Sequence, residues 1–206
     1  QHFDSIYTCV ETQMRFITDL DVRPFYFSVL TNKYETSKIV GHENVFASIV
    51  KGFPKTDFGW VEDSVFLKLQ EKADKIRMNP VGGRAQNFPL KNYKSGTLTS
   101  LNQVFGIYKL VVFFDSDCGH CKEAMPFYME VIKEFKDNGL TPMLVTVETT
   151  NEFLSELIAS REYNSSYFYY HHEVTQDDFR LKYDIPSTPQ VYILDSANKI
   201  LAKNIP

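Results

Sequence analysis

The sequence predicts a small all-α domain followed by an α/β domain in which helices pack on a sheet. Three observations carry this prediction. Apolar residues recur at helical spacing through the first eighty or so positions. Pro80, Gly82 and Gly83 then interrupt the pattern. Beyond them, strand-like runs alternate with helical segments. The boundaries fall at 1–79 for the helical domain, 80–86 for a linker and 87–206 for the α/β domain. With 206 residues, 43% hydrophobic and 23% charged, the chain has enough apolar material for a sizeable core and does not read as disordered. The net charge of -4, without a Lys/Arg run, argues against nucleic acid as a main partner. No apolar stretch approaches the roughly 20 residues that cross a bilayer. The chain opens Gln1-His2-Phe3-Asp4 and reads as a mature or trimmed form from which any targeting segment has been removed. A removed segment of that kind is also where a membrane anchor would sit.

Taken in order, "SIYTCVETQMRFITDL" places Ile6, Val10, Met14 and Ile17 on one helical face, with Cys9 as a small filler on or beside it. In "DVRPFYFSVLTNKYETSK", Asp21 is a candidate cap and Pro24 suits a first turn. "ENVFASIVKGF" is a short apolar segment closed by Gly52 and Pro54. "WVEDSVFLKLQEKADKIRMN" is the clearest helix, lined by Val65, Phe66, Leu69, Ala73 and Ile76 and stopped at Asn79-Pro80. Next, "NFPLKN" and "GTLTSL" predict a hairpin about Lys94-Ser95-Gly96. "LVVFFDS" predicts a buried strand, "GHCKEAMPFYMEVIKEFKDNG" a helix ended by Gly139, and "TPMLVTVE" a strand. "NEFLSELIASRE" and "TQDDFRLKYD" predict helices, and "TPQVYILD" and "NKILAK" two closing strands. "SSYFYYHHE" reads as an aromatic segment with no assigned element.

Cys118 and Cys121 stand one helical turn apart where a strand gives way to a helix. Three readings are open: a redox couple, half of a metal site, or packing. Ser116 or Asp117 can cap the helix, which would set the Cys118 sulfur at the positive end of the helix dipole and favour its thiolate. A protonated His120 would add to this, whereas the Asp117 carboxylate would oppose it. Cys121 lies close enough to close a disulfide after Cys118 attacks a substrate. A zinc site needs two further ligands, and the adjacent His171 and His172 would point to opposite faces of a strand. No metal or cofactor is expected.

These residues resemble the thioredoxin superfamily from about Asn87 onward. "CGHC" is similar to the active-site tetrad of protein disulfide isomerases, Pro126 matches a helix proline of thioredoxins, and "STPQVYILD" resembles the threonine–cis-proline segment. The wide spacing between Cys121 and Pro189 and the hairpin ahead of the first core strand resemble the TlpA-like branch of extracytoplasmic bacterial oxidoreductases. The resemblance implies a central mixed sheet flanked by helices, with Thr188 and Pro189 facing the cysteines and a cis bond between them. It also implies a further helix beyond "AKNIP", so the domain is expected to lack its last helix. The helical part resembles the domain that precedes such modules in Bacteroidetes proteins. Three positions depart from the pattern. Val112 and Ala124 stand where relatives carry proton-moving acids, and Asp117 replaces a tryptophan. Glu123, one position off, or water would then serve Cys121.

The expected function is a thiol–disulfide oxidoreductase acting on protein substrates in an oxidising, extracytoplasmic, periplasmic or envelope compartment. Cys118 would be the nucleophile and Cys121 the resolving thiol, with Gly119, His120 and Glu123 supporting them and Thr188-Pro189 as substrate platform. A separate redox partner would recharge the pair. The Gly-His dipeptide leans toward a couple more oxidising than that of thioredoxin, since histidine favours the reduced thiolate. The contrasting expectation is a redox-idle thioredoxin-fold binding module whose helical domain engages a partner.

Overall fold

The structure is a computed structural model that describes residues 3–59, 61–115, 117–146, 158–159, 163–170, 179–183, 185 and 187–203. The chain divides into two compact units, Gln1–Val81 and Gly82–Pro206.

The first unit is built from α1 (Phe3–Phe16), α2 (Val22–Glu35), α3 (His42–Gly52) and α4 (Asp63–Met78), with a 3₁₀ turn at Lys55–Phe58. Its core gathers Val10, Met14, Phe27, Phe46, Ile49, Val50 and Phe58, with Ile6, Ile17, Leu69 and Ile76 packed at the margin. Phe27 is central: its ring centroid lies 4.7 Å from that of Phe53 and 4.8 Å from that of Phe58. Burying such a side chain stabilises the unit by roughly 1.5–3 kcal/mol.

Polar groups fix the helix ends. The Arg23 guanidinium forks onto Asp57 at 2.9 Å through two nitrogens, and its Nη1 also donates to the carbonyls of Met14 and Ile17. One side chain thereby joins the end of α1, the start of α2 and the 3₁₀ turn. Gly41, which precedes α3, has φ +87°, and the Phe3 ring occupies the place a Cβ would take. Both facts demand glycine there.

Three sequence expectations change in this unit. Asp21 makes no side-chain cap of α2. Asp19 does the capping instead, its Oδ1 accepting from the amides of Asp21 and Val22, while Asp21 has nothing to cap because the Arg23 amide donates to Asp19 O and Pro24 has no N–H. Val65 is 45% exposed, because it immediately precedes Phe66 and a single residue of helical rotation, about 100°, turns it off the face that Phe66 and Ala73 bury. Cys9 is exposed rather than filling the apolar face.

The second unit is a seven-stranded mixed sheet in the order β2-β1-β5-β4-β3-β6-β7. The strands are β1 (Pro89–Asn92), β2 (Leu98–Ser100), β3 (Tyr108–Phe114), β4 (Leu140–Thr146), β5 (Phe168–Tyr170), β6 (Gln190–Asp195) and β7 (Ile200–Lys203). Among the described residues two α-helices accompany them, α5 (Gly119–Phe135) and α6 (Phe179–Tyr183). β3 is central, parallel to β4 with Val111 opposite Met143, and antiparallel to β6 with Val111 opposite Tyr192. Strand β3 is buried from Lys109 onward, which is why "LVVFF" shows no alternation. Leu110, Val112 and Phe114 join Cys121, Met125, Tyr128 and Ile132 of α5 in one core. Phe113 points the other way, stacking on Phe179 of α6 and meeting Phe88, Tyr183 and Tyr192.

The hairpin β1–β2 turns through Gly96 at φ +65°, with Asn92 Oδ1 accepting from the Ser95 amide. β5 arises from the aromatic segment to which no element was assigned. Phe168, Tyr169 and Tyr170 are all buried, so they lack the alternation that announces a strand, yet they pair with both β1 and β4. The stretch expected as a linker is pinned over Gly82–Ala85. Gly82 N donates to Ile200 O at 2.7 Å, Ile200 N to Gly83 O at 2.8 Å, and Ala85 N to Asn198 O at 2.8 Å. Most of the helix expected over "NEFLSELIASRE", the start of the one expected over "TQDDFRLKYD", and His171 and His172 lie outside the described residues.

Candidate redox site

The topology brings the site together. Phe113, next to the last residue of β3, lies opposite Gln190, the first residue of β6, so the segment before β6 lies beside the segment after β3. Cys118 and Thr188-Pro189 occupy those two segments, and the Thr188–Pro189 bond is cis.

Cys118 is itself the N-cap residue of α5, in extended conformation at φ −76° and ψ 116°, and its carbonyl accepts from Lys122 N. The expectation that Asp117 caps the helix is therefore corrected. Asp117 is exposed, and its amide donates to Asp115 Oδ1 at 2.9 Å. Ser116 lies outside the described residues. The cap position turns the Cys118 sulfur toward the free amides of the first helical turn.

Those amides explain the acidity of Cys118. Hydrogen bonds from the Cys121 amide, then from the Thr188 side chain, the Cys121 thiol and the His120 amide hold its thiol below the ordinary value, against an opposing effect of burial. The thiol donates to Thr188 O at 3.2 Å when protonated. Cys121 behaves oppositely. It is 2% exposed, and burial pushes its thiol up, while donors from Asp115 and Thr188 offset part of the rise and the neighbouring Cys118 adds to it. One sulfur is thus accessible and readily ionised, and the other is sheltered and kept protonated. Both are free thiols in this structure.

The remaining expected residues sort by which way they face. Gly119 is exposed, and a Cβ there would meet nothing within 4 Å, so the surface beside Cys118 is open. The His120 and Glu123 side chains are 89% and 84% exposed, with Nδ1 and Oε2 3.9 Å apart. Of His120, it is the backbone amide that lowers the Cys118 thiol value. Glu123 sits on the solvent side of α5, whereas Cys121 is on the buried side. Its placement does not suit it to carry the Cys121 proton. Pro126 is exposed within a helix that continues past it.

Thr188 stands against the pair, its carbonyl accepting from the Cys118 thiol and its side chain lowering the thiol values of both cysteines. Nothing in the local pattern signals this contact, which depends on strand order. The described residues contain no group of three or more His, Cys, Asp and Glu that could hold a metal ion. No helix among them is long and apolar enough to cross a membrane. Cys9 belongs to the helical unit, where it lines a groove of about 580 Å³ with Ile6, Gln13, Tyr26 and Lys33.

Comparison with known proteins bears on the fold of the second unit. A family model described as thioredoxin-like matches residues 106–200. Among solved structures, a domain of a possible thiol-disulfide isomerase from Cytophaga hutchinsonii is 28% identical with a TM-score of 0.54, over 61% of this chain and 84% of that one. The thioredoxin domain of a thiol-disulfide oxidoreductase from Bacteroides vulgatus is 26% identical with a TM-score of 0.54, over 60% and 87%. A thioredoxin-like protein from Bacteroides caccae, 16% identical with a TM-score of 0.58, covers 99% of this chain and 80% of its own, and so shares the fold. No curated protein sequence matches.

Proposed function

We propose that this chain, whose second unit is a thioredoxin-like domain, is a thiol–disulfide oxidoreductase that exchanges disulfides with protein substrates. The observation that carries the reading is the asymmetry of the two thiols. Cys118 is partly exposed and acidified by helix amides and Thr188, and Cys121 is buried and kept protonated beside it.

In this reading the Cys118 thiolate attacks a substrate disulfide, forming a mixed disulfide and releasing one substrate thiolate. Cys121 then attacks the Cys118 sulfur, closing the intramolecular disulfide and releasing the second. An exchange partner reverses the oxidation. Thr188 and Pro189 form the platform for substrate backbone, and the compartment is the extracytoplasmic envelope. The names borne by the Cytophaga and Bacteroides vulgatus proteins support the class of reaction. A redox-idle binding module would have no use for a thiol biased toward its anion beside a second, buried thiol.

Equilibration against glutathione tests the reading. A reversible Cys118–Cys121 disulfide is expected, with insulin reduced by the wild type and not by Cys118→Ser. Absence of the reversible disulfide removes the proposal. Cys121→Ser is expected to trap protein substrates as mixed disulfides on Cys118.

A further inference from the structure

Only three residues, Asp115, Ser116 and Asp117, join the end of β3 to Cys118. Both ends of this connection are fixed. Phe114 is 1% exposed and stands opposite Thr146 of β4. Cys118 is extended as the N-cap of α5, its carbonyl accepts from Lys122 N, and its sulfur lies 3.2 Å from Thr188 O. With so few torsions in between, the shape of the connection decides where the sulfur sits.

A side chain holds that shape. Asp115 Oδ1 accepts from the Asp117 amide at 2.9 Å, so the carboxylate spans the connection from its first residue to its last. This is the Asx turn that aspartate and asparagine form by bonding the backbone two residues on. The residue that donates into it is the one that precedes Cys118. The side chains of His120 and Glu123, by contrast, project from α5 into solvent.

We propose that Asp115 is a positioning residue for the nucleophile, its carboxylate clamping the turn that delivers Cys118 to the head of α5 and against Thr188. This rests on the redox reading above. The role belongs to the oxygen as an acceptor, not to its charge. A carboxylate this near in the chain opposes ionisation of a thiol, whereas the turn sets that thiol among the amides that favour it. The Asp115 amide is also among the donors to Cys121, so one residue bears on both sulfurs. The other titratable groups around Cys118 are Cys121, Asp117, His120, Lys122 and Glu123 along the chain, and the phenols of Tyr93, Tyr128, Tyr163, Tyr167 and Tyr170 in the core it joins.

The test compares Asp115→Ala, which removes the acceptor, with Asp115→Asn, which keeps an acceptor in the same place and removes the charge. Each is made in the full chain together with Cys9→Ser and Cys121→Ser, so that Cys118 is the single thiol, and its alkylation by iodoacetamide is followed across pH. Asp115→Ala is expected to slow alkylation at neutral pH roughly threefold to tenfold and to move its midpoint upward, as the sulfur loses its alignment with the helix amides. Asp115→Asn is expected to stay within about twofold of the chain that keeps Asp115. An unchanged midpoint in Asp115→Ala overturns the proposal whatever the melting temperature, because lost stability alone does not move it. A lowered midpoint in Asp115→Ala, or an upward shift equal in both variants, overturns it too, since either makes the charge rather than the turn the governing factor. The redox reading is read separately: with Cys118 and Cys121 both present and Cys9 replaced, an aromatic disulfide must release two coloured thiolates. A single release removes that reading and leaves the alkylation result standing.

Discussion

The two units treat their polar groups in opposite ways. In the helical unit, Arg23 is fully engaged, with its guanidinium spread over Asp57 and two helix-end carbonyls. In the sheet unit, donors from the first turn of α5 and from Thr188 converge on two sulfurs that remain unbonded to each other. The first arrangement fastens the fold. The second leaves a thiol ready to change partners. Aromatic-rich cores hold both units, so what separates them is where hydrogen-bond donors are spent.

Substitutions can break this contrast, and the largest expected effect is at Cys118. Cys118→Ser should reduce disulfide exchange to the uncatalysed background while hydrogen exchange in the helical unit stays at wild-type protection. Next comes Phe27→Ala, which opens a cavity between Phe53 and Phe58 and should destabilise the helical unit by about 3–5 kcal/mol in denaturant unfolding of the full chain. Arg23→Ala leaves Asp57 and two carbonyls short of a donor and should cost about 2–4 kcal/mol, read the same way, without altering the alkylation rate of Cys118.

A subtler effect concerns pH. Alkylation of Cys118 by iodoacetamide should reach half its maximal rate below the ordinary thiol value of about 8.5, and that of Cys121 above it. The linked stabilities carry opposite signs. The depressed Cys118 adds stability that is present above the unfolded thiol value and lost as pH falls through its folded value. The raised Cys121 adds stability that is present below the unfolded value and lost as pH rises through its folded value. Smallest of all, Cys9→Ser should change stability by no more than about 0.5 kcal/mol and leave exchange untouched, since Cys9 is exposed.

Much of the fold is legible because the relevant signals are local. The "LVVFF" run, the glycine at the hairpin turn and the helical spacing of Val10 and Met14 each act within a few residues of themselves. The cysteine pair is legible for the same reason, being one turn apart at a strand-to-helix junction. What escapes is set by tertiary context. The aromatic run at Phe168–Tyr170 becomes a strand only because β1 and β4 accept it on either side. Asp19 outcompetes Asp21 as a cap by reaching back across a turn whose shape the sequence does not announce. The place of Thr188 against the cysteine pair requires β6 to run antiparallel beside β3. His120 and Glu123 look like participants by adjacency, but helical rotation carries their side chains into solvent.

The strip Gly82–Ala85 carries a practical consequence for dissecting the chain. Because these residues bond to Ile200, the first residue of β7, and to Asn198 and Lys199 just ahead of it, a fragment that starts at Asn87 would leave that end of the sheet edge uncovered. Bare strand margins recruit other molecules, so such a fragment should self-associate at concentrations where one beginning at Gly82 stays monomeric. Sedimentation of the two fragments side by side would show the difference.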